Sequence, residues 1–351
     1  MKHSLSKKLH GVTSACCIVL AVLLVLTVHS YASNKAEASR LLADLVSSKA
    51  LEHISVKTAD GTDLYRVENG KAVYSEEATT REAFFSLLGD SSIDRSLLAD
   101  AAKEFASESY AKTRKKESTY FDEKDITLTI RADLQKAAYK TLCEANSSGG
   151  AMLIANYTTG EILAAATAPA IDPLNRPENS ELPEKSYLQK AFYAYTPGSV
   201  MKTVSAACVL ETNSQPARDF SYYCAGKDRE ISCMKAHGNV TLTRALQVSC
   251  NCGISKLLTS NVDAKDYADF LDTIGLTKPD PVIDFPDIAS GNLSINESNY
   301  AWSVNGQEIT VTPAAMLRWY SALANDGVSV DLHLKSDTKP GETRLVSEET
   351  A

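Results

Sequence analysis

The sequence predicts an α+β fold in which a short β-hairpin precedes a mainly helical region. Two apolar segments, 151–157 and 161–167, flank a turn that contains Gly160. Paired apolar segments around a glycine-containing turn are typical of a hairpin that is buried on at least one face. After a proline-rich segment at 169–183, apolar residues recur at helical spacing. These helical patterns cover residues 200–211, 242–260, 264–274 and 313–325.

Length and composition limit the possible functions. The chain has 351 residues, of which 44% are apolar and 23% are charged. This balance is typical of a globular protein with one large domain or two modest ones. The formal net charge is −8. We therefore expect no nucleic-acid partner, because binding a phosphate backbone requires a basic face.

The N-terminal segment has the pattern of a membrane anchor. A lysine-containing lead at 1–11 precedes residues 12–28, which carry no formal charge and include a long aliphatic run. Such a run favours the hydrocarbon core of a bilayer, and the basic lead favours the cytoplasm. We expect residues 12–31 to form a single-pass anchor in the cell membrane, with the rest of the chain extracytoplasmic. A cleaved signal peptide, with Ser30 and Ala32 before the cut, is the alternative.

Residues 33–124 are predicted to form a short extracytoplasmic module and linker. Apolar spacing indicates a helix over 36–51, and short strands with two glycine turns occupy 54–74. The charge-rich stretch 108–124 is expected to be a solvated linker. Composition changes at Asp125, where we place the start of the main domain, at 125–351. Its first elements are predicted to be a strand at 126–130 and a helix at 132–144.

The cysteines allow two interpretations in an exported domain. Cys224 and Cys233 flank a polar loop, so they could form a local disulfide in an oxidising compartment or remain two reduced thiols. We expect no metal site, because no second close pair with metal-ligand spacing lies nearby and His237 alone does not make one. The other cysteines after the N-terminal segment are expected in or near the core. They are Cys143, Cys208, Cys250 and Cys252.

Ser199 and Lys202 form the strongest candidate for chemistry. Pro197 and Gly198 interrupt the preceding segment, so Ser199 opens a helix, where unpaired backbone N–H groups favour developing negative charge. Lys202 follows three residues later on the same helix face and can reach the serine hydroxyl. A partly desolvated lysine loses its proton more easily and can act as a base. The alternative is a helix-capping serine beside a surface lysine, which is common for so short a motif.

A second candidate, Ser249-Cys250-Asn251, lies fifty residues further on at the start of an apolar helical stretch. Alone it is uninformative, because serine and asparagine cap many helices. Together with Ser199 and Lys202 it gains a role. The Ser249 hydroxyl could relay a proton to a leaving amine, and the Asn251 amide could hold a substrate carbonyl.

Several segments in this order resemble the transpeptidase domain of penicillin-binding proteins, particularly the class B type of septal and elongation enzymes. The nucleophile motif lies at 195–202 and the second motif at 249–251, at a spacing typical of that family. The resemblance extends over about residues 120–350. The other similar segments are 126–135, 159–164, 233–251, 306–313 and 320–325.

The resemblance implies a serine β-lactamase/D,D-transpeptidase-like fold, with a helical subdomain beside an antiparallel sheet. It implies that Ser199 attacks the penultimate D-alanyl carbonyl of a peptidoglycan stem peptide and releases the terminal D-alanine. Lys202 would accept the serine proton, Ser249 would pass it to the leaving amine, and Asn251 would bind the peptide. β-Lactams would acylate the same serine. The family needs no cofactor, and its members work with cell-division or elongation proteins.

The sequence departs from the family after the second motif. The family's third motif, Lys-Thr/Ser-Gly on a strand of the central sheet, is absent, and 339–341 does not replace it. Proline at 340 cannot supply the ladder N–H of a central strand. We therefore expect residues 125–351 to be an incomplete domain that lacks the C-terminal strands of the sheet. The module at 33–124 is also short for a class B protein.

Three other interpretations remain open. A β-lactam sensor uses the same acylation, although sensors usually carry more membrane segments. A non-catalytic scaffold in a cell-wall or division complex would be consistent with an incomplete domain. A secreted β-lactamase fits less well, because the segments around 195–202 and 306–313 resemble the transpeptidases and no deacylating carboxylate motif is evident.

Overall fold

The computed structural model describes residues 50–89, 96–114, 123–145, 149–178, 186–276, 282–286 and 288–351. The predicted anchor at 12–31, the basic lead at 1–11 and most of the predicted helix at 36–51 lie outside these ranges. Within them, no helix combines the length and the apolar character that crossing a bilayer requires.

A four-stranded sheet forms the first part of the fold. The elements in this part of the chain are β1 (Ile54–Lys57), β2 (Asp63–Glu68), β3 (Lys71–Tyr74), α1 (Ala78–Leu88), α2 (Leu97–Arg114) and β4 (Lys124–Thr127). The order of the sheet is β3-β2-β1-β4, with β1 antiparallel to β2 and parallel to β4. The strands predicted over 54–74 are therefore confirmed.

This sheet crosses the position where composition changes. Because β1 pairs with β4, the described residues of 53–101 and 122–351 form one compact unit. Strand pairing thus joins segments on both sides of the composition change, and the domain boundary placed at Asp125 stays a prediction. Composition reports polarity along the chain, whereas strand pairing here joins residues about seventy positions apart. The predicted linker at 108–124 is helical as far as Arg114, and residues 115–122 lie outside the described part.

The predicted hairpin is confirmed, and a buried glutamine fixes a helix against it. Strands β5 (Gly150–Ala155) and β6 (Ile162–Ala168) pair antiparallel, and α3 (Ala132–Glu144) packs on β6. The Gln135 side chain, fully buried, donates to the carbonyls of Ala83 and Ala165 at 2.7 and 2.9 Å. It also accepts from the Ala165 N–H. A fully paired buried amide of this kind fixes the orientation of the helix.

A helical region follows and contains its own apolar core. Buried side chains of several helices meet there, including Cys208, Leu257, Tyr267 and Trp319. The predicted helices at 200–211, 264–274 and 313–325 are confirmed within a few residues. The helices are α4 (Lys202–Thr212), α5 (Ser214–Arg218), α6 (Leu242–Gln247), α7 (Asn251–Thr259), α8 (Ala264–Thr273), α9 (Tyr300–Ser303) and α10 (Pro313–Ala324).

The helix predicted over 242–260 is instead two helices, α6 and α7. Ser249 lies between them with φ +52°, in the left-handed region. Cys250 then caps α7, with its sulfur accepting from the Gly253 N–H. Apolar periodicity continues across the break, which is why the sequence pattern does not reveal it.

Short strands complete the fold. These strands are β7 (Tyr222–Cys224), β8 (Lys227–Asp228), β9 (Ile231–Ser232), β10 (Gly238–Val240), β11 (Val328–Val330) and β12 (Glu342–Arg344). Between α5 and α6 along the chain, β7 and β10 form a two-stranded ribbon, and β8 and β9 form a small hairpin. After α10, β11 pairs with β12.

The loop before Ser199 is held by the segment 306–311. Tyr195 and Val311 exchange two backbone hydrogen bonds, at 3.0 and 2.9 Å, and the Gly198 N–H donates to the Gly306 carbonyl at 2.9 Å. Gly306 has φ +77°, and a Cβ there would lie 2.0 Å from the Gly198 carbonyl oxygen. Only glycine allows this approach, because a real Cβ cannot come so close to another backbone.

Replacing Gly306 with alanine should therefore destabilise the protein strongly. Left-handed backbone costs an L-residue about 1–2 kcal/mol, and overpacking adds about 1–3 kcal/mol. We therefore expect the free energy of unfolding to fall by about 2–5 kcal/mol. Chemical denaturation of the full-length chain measures this change.

Gly70→Ala is the matched control. Gly70 has a similar φ of +71°, but nothing lies within 4 Å of its would-be Cβ. It should lose only about 1–2 kcal/mol. Equal losses for the two variants would show that the contact with Gly198 does not constrain the loop.

Candidate functional site

Ser199 is presented at the surface by a tight turn. A 3₁₀ turn (Gly198–Met201) leads directly into α4, and the Ser199 side chain is exposed. The first turn of a helix has backbone N–H groups without intrahelical partners, which favours negative charge on the serine oxygen. The sequence prediction that Ser199 opens a helix is confirmed, with the difference that the first turn is 3₁₀.

Lys202 lies directly beneath this serine and is almost completely buried. Its side chain is 2% exposed. Its amine, Nζ, donates to Ser199 Oγ at 2.7 Å and to Ser249 Oγ at 2.8 Å, and lies 3.4 Å from the Ser249 carbonyl oxygen. The alternative of a surface lysine is therefore wrong.

Burial changes the acidity of this amine. Loss of hydration lowers the pKa of Lys202 from its ordinary value to about 8, while interactions with Cys233 and Cys250 act in the opposite direction. In the described part of the chain, no carboxylate pairs with the amine to stabilise its charge. A neutral amine is consequently accessible close to physiological pH, and a neutral amine can accept a proton.

Ser249 closes a triangle with the other two side chains. Its hydroxyl donates to Ser199 Oγ at 2.9 Å while accepting from Lys202. The left-handed conformation of Ser249 at the junction of α6 and α7 gives the side chain this direction. Backbone bonds from Ser249 and Cys250 to the last turn of α6 stabilise the junction. The sequence motif S-x-N thus contributes its serine through a turn and not from within a helix.

Asn251 begins α7, and its side chain is already engaged on one side. Its amide Nδ2 donates to the Ser232 carbonyl at 2.8 Å. This bond fixes the orientation of the amide against the end of β9. The predicted role of Asn251 in binding a substrate carbonyl stays a prediction.

Together the three polar side chains can activate a serine and move its proton. The Ser199 oxygen is within hydrogen-bond distance of a potential base and of a second hydroxyl. Nucleophile and base at about 2.6–3.2 Å, with a third group orienting them, are the geometric signature of covalent catalysis. The two serines are exposed and the lysine is buried, so a ligand can reach the hydroxyls but water cannot freely reach the amine.

A second layer of hydrogen bonds supports α4. Trp319 Nε1 donates to Thr203 Oγ1 at 3.0 Å, and Tyr320 donates from its hydroxyl to the Val200 carbonyl at 3.0 Å. The Ser205 hydroxyl donates to the Val304 carbonyl at 2.8 Å. The sequence predicts a helix over 313–325 and a similar segment at 320–325, but it gives Trp319 and Tyr320 no role in the site. The aromatic pair beside a helical pattern was its only available signal.

Of the two sequence interpretations for Cys224 and Cys233, the structure has the free thiols. Their sulfur atoms lie 3.8 Å apart, with no bond between them. The Cys233 sulfur also lies 3.8 Å from that of Cys250, and no single partner is preferred. Cys208, Cys250 and Cys252 are buried as expected, whereas Cys143, in the last turn of α3, is exposed.

The structure also gathers residues that the sequence did not connect. The ligand atoms of Cys224, Cys233, His237 and Cys250 all lie within 4.8 Å of one another. Cys233 and His237 are separated by three residues, which is a metal-ligand spacing. This spacing was the signal that could have identified the group, but the other two thiols come from separate elements that the sequence could not place beside it.

Comparisons with known proteins agree with this geometry. The family model for the penicillin-binding protein transpeptidase domain matches residues 150–351. A protein of Pseudomonas aeruginosa named as a probable peptidoglycan D,D-transpeptidase, PbpC, is 29% identical over 233 residues, which are 63% of this chain and 40% of that protein. The peptidoglycan D,D-transpeptidase FtsI of Escherichia coli is 24% identical over 58% of this chain and 36% of its own length.

Solved structures share the fold. The crystal structure of PBPA from Mycobacterium tuberculosis has a TM-score of 0.70 at 17% identity, covering 85% of this chain and 79% of that one. The α+β, D,D-transpeptidase-like fold expected from the sequence is therefore confirmed. The chain spans well under half the length of the curated relatives cited above. With the matched domain covering more than half of its residues, the chain belongs to the penicillin-binding protein transpeptidase family.

Proposed function

We propose that this chain performs serine-dependent D,D-transpeptidation, cross-linking peptidoglycan stem peptides through an acyl-enzyme on Ser199. The observation that carries the proposal is the triangle of Ser199, Lys202 and Ser249, with edges of 2.7, 2.8 and 2.9 Å. A capping serine and a surface lysine would not need a buried amine between two hydroxyls. Membership of the family supports the same conclusion.

In the acylation step, Ser199 Oγ attacks the carbonyl carbon of the penultimate D-alanine. As the C–O bond forms, the hydroxyl proton passes to Lys202 Nζ, which lies 2.7 Å away. The tetrahedral intermediate then collapses and the C–N bond to the terminal D-alanine breaks. Ser249, hydrogen-bonded to both Lys202 and Ser199, transfers a proton from Lys202 to the leaving amine. The products are an ester on Ser199 and free D-alanine.

In the transfer step, an amine of a second stem peptide attacks the ester. The new C–N bond forms, the C–O bond to Ser199 breaks, and the proton lost by the amine returns through Lys202 to the serine oxygen. A penicillin would follow the first step only: its β-lactam C–N bond breaks and the ring-opened drug stays esterified to Ser199. Both ligands thus use one nucleophile.

The proposed location follows from the N-terminal pattern. The basic lead at 1–11 and the apolar segment at 12–31 support a single-pass anchor, with the transpeptidase domain on the outer face of the cell membrane. Peptidoglycan lies on that side. Division or elongation proteins are the partners we propose for the membrane-proximal part.

Ser199→Ala should abolish covalent labelling by penicillin. The full-length chain in detergent, incubated with benzylpenicillin, should gain the mass of one drug molecule, and the variant should gain none because its nucleophile is missing. Intact-mass spectrometry measures the adduct.

Ser260→Ala is the control for this experiment. Ser260 is an exposed serine after α7, outside the triangle, and its variant should be labelled like the wild type. A folded wild-type chain that gains no mass would contradict the proposal and support the scaffold interpretation. Labelling that persists in Ser199→Ala would assign the nucleophile to another residue.

The rate of penicillin acylation should rise with pH. Below about pH 8 the Lys202 amine is protonated and cannot accept the serine proton, whereas above it the amine is neutral. We expect the rate constant to increase about tenfold per unit below the pKa and to level off above it. Stopped-flow measurements with a chromogenic cephalosporin give this profile.

Lys202→Met removes the amine and keeps an unbranched side chain of similar size. It should slow acylation by about 10²–10⁴-fold and remove the rise with pH. Lys256→Met, at an exposed position of α7, should leave rate and profile unchanged. An unaltered pH profile in Lys202→Met would show that another group is the base.

A further inference from the structure

We propose that Cys224, Cys233, His237 and Cys250 bind one zinc ion, which stabilises the turn that carries Ser249 and Asn251. The four residues come from three separate parts of the chain: β7, the segment between β9 and β10, and the N-terminus of α7. Their ligand atoms converge to within 4.8 Å of one another. Three thiols and one imidazole form a Cys₃His set, which is a common structural zinc site.

The distances fit a tetrahedron around zinc. With Zn–S of about 2.3 Å and Zn–N of about 2.1 Å, tetrahedral angles place sulfur atoms about 3.8 Å apart and sulfur and nitrogen about 3.6 Å apart. The Cys224–Cys233 and Cys233–Cys250 sulfur distances are both 3.8 Å, and Cys224 Sγ lies 3.6 Å from His237 Nδ1. Three of the six distances among the ligand atoms therefore already match a single tetrahedral ion, and the other three are at most 4.8 Å.

The surroundings suit thiolate ligands. Cys224 and Cys250 are fully buried, and Cys233 and His237 are partly buried. Backbone N–H groups point at two of the sulfurs: Gly253 donates to Cys250 Sγ at 3.3 Å, and Cys252 donates to Cys233 Sγ at 3.5 Å. Such N–H donors orient and stabilise metal-bound sulfur.

Cys252 lies near the group but is not one of its ligands. Its sulfur is 3.6 Å from that of Cys233, yet its own S–H points to the Ile231 carbonyl at 3.5 Å. A thiol that donates to a backbone acceptor keeps its proton, whereas a zinc ligand must lose it. The site is thus filled by four residues, with no position open for a substrate, as in structural zinc centres.

The site would tie the second catalytic serine to the rest of the fold. Cys250 directly follows Ser249 and caps α7, while Cys224 and His237 flank the paired strands β7 and β10. On binding, the three thiols release their protons to solvent and form three Zn–S bonds. The ion would then hold the left-handed turn at Ser249 against the β7–β10 ribbon. It would also protect the thiols from oxidation outside the cytoplasm.

Metal analysis of the full-length chain tests the inference. Purified in detergent without chelators, the wild type should contain about one zinc ion per chain. Cys233→Ser and His237→Gln should lower this content at least about tenfold. The control is Cys143→Ser, which removes an exposed thiol outside the group and should keep the zinc.

A spectroscopic measurement on the wild type covers variants that fail to fold. After removal of zinc under reducing, oxygen-free conditions, added Co²⁺ should give the intense visible absorption of tetrahedral cobalt with thiolate ligands. Equimolar Zn²⁺ should displace it.

Two results would overturn the inference. One is a folded wild-type chain without zinc and without a cobalt spectrum, its thiols all titrating as free. The other is a chain whose mass is lower by two hydrogen atoms and whose Cys224 and Cys233 resist alkylation, which would show a disulfide in place of the metal. Neither result depends on penicillin labelling, so the inference and the proposed function fail separately.

Discussion

The arrangement of the two serines in the site depends on one buried amine, that of Lys202. Lys202 is held almost out of water by the apolar core around α4, and it donates to two hydroxyls that remain exposed. A charged amine in such a place is expensive unless it is well hydrogen-bonded, and loss of hydration favours its neutral form. The same burial that destabilises the charge therefore produces a base next to a nucleophile. Removing the packing around α4 would remove the reactivity with it.

The rest of the structure keeps the two serines in place above this amine. Ser199 is positioned by a loop whose backbone contacts Gly306 without any intervening side chain. Ser249 is positioned by a left-handed turn between two short helices, with the cysteine and histidine group directly beside it. Each serine thus depends on a local backbone feature, and each feature is stabilised by residues far away in the sequence. The hairpin lies earlier in the chain, and its strand β5 packs against α10, the helix that carries Trp319 and Tyr320.

The sequence predicted the parts of this site that are local. The i, i+3 spacing of Ser199 and Lys202 is a property of any helix, and the hairpin at 151–167 follows from alternating apolar residues and a glycine turn. Burial of Lys202, the break at Ser249 and the pairing of β1 with β4 were not accessible, because each depends on contacts between distant segments. The cysteine and histidine group was not predicted from the sequence for the same reason, because only two of its four members are close in sequence. The family resemblance supplied the order of the motifs but not these contacts.

Because the exposed hydroxyls lie above a buried amine, ligand binding affects when the Lys202 amine becomes neutral. A ligand that covers Ser199 and Ser249 also seals the remaining route by which water reaches Lys202, so the amine loses still more hydration at the moment of docking. Binding therefore favours the neutral, proton-accepting form of the amine at the moment when a carbonyl is present. Small reagents that leave the two hydroxyls exposed to water meet a largely protonated Lys202, which cannot accept the proton of Ser199. The substrate thus helps to activate the nucleophile that attacks it. Selectivity then depends on how completely a ligand covers Ser199 and Ser249, as well as on the bond that is broken.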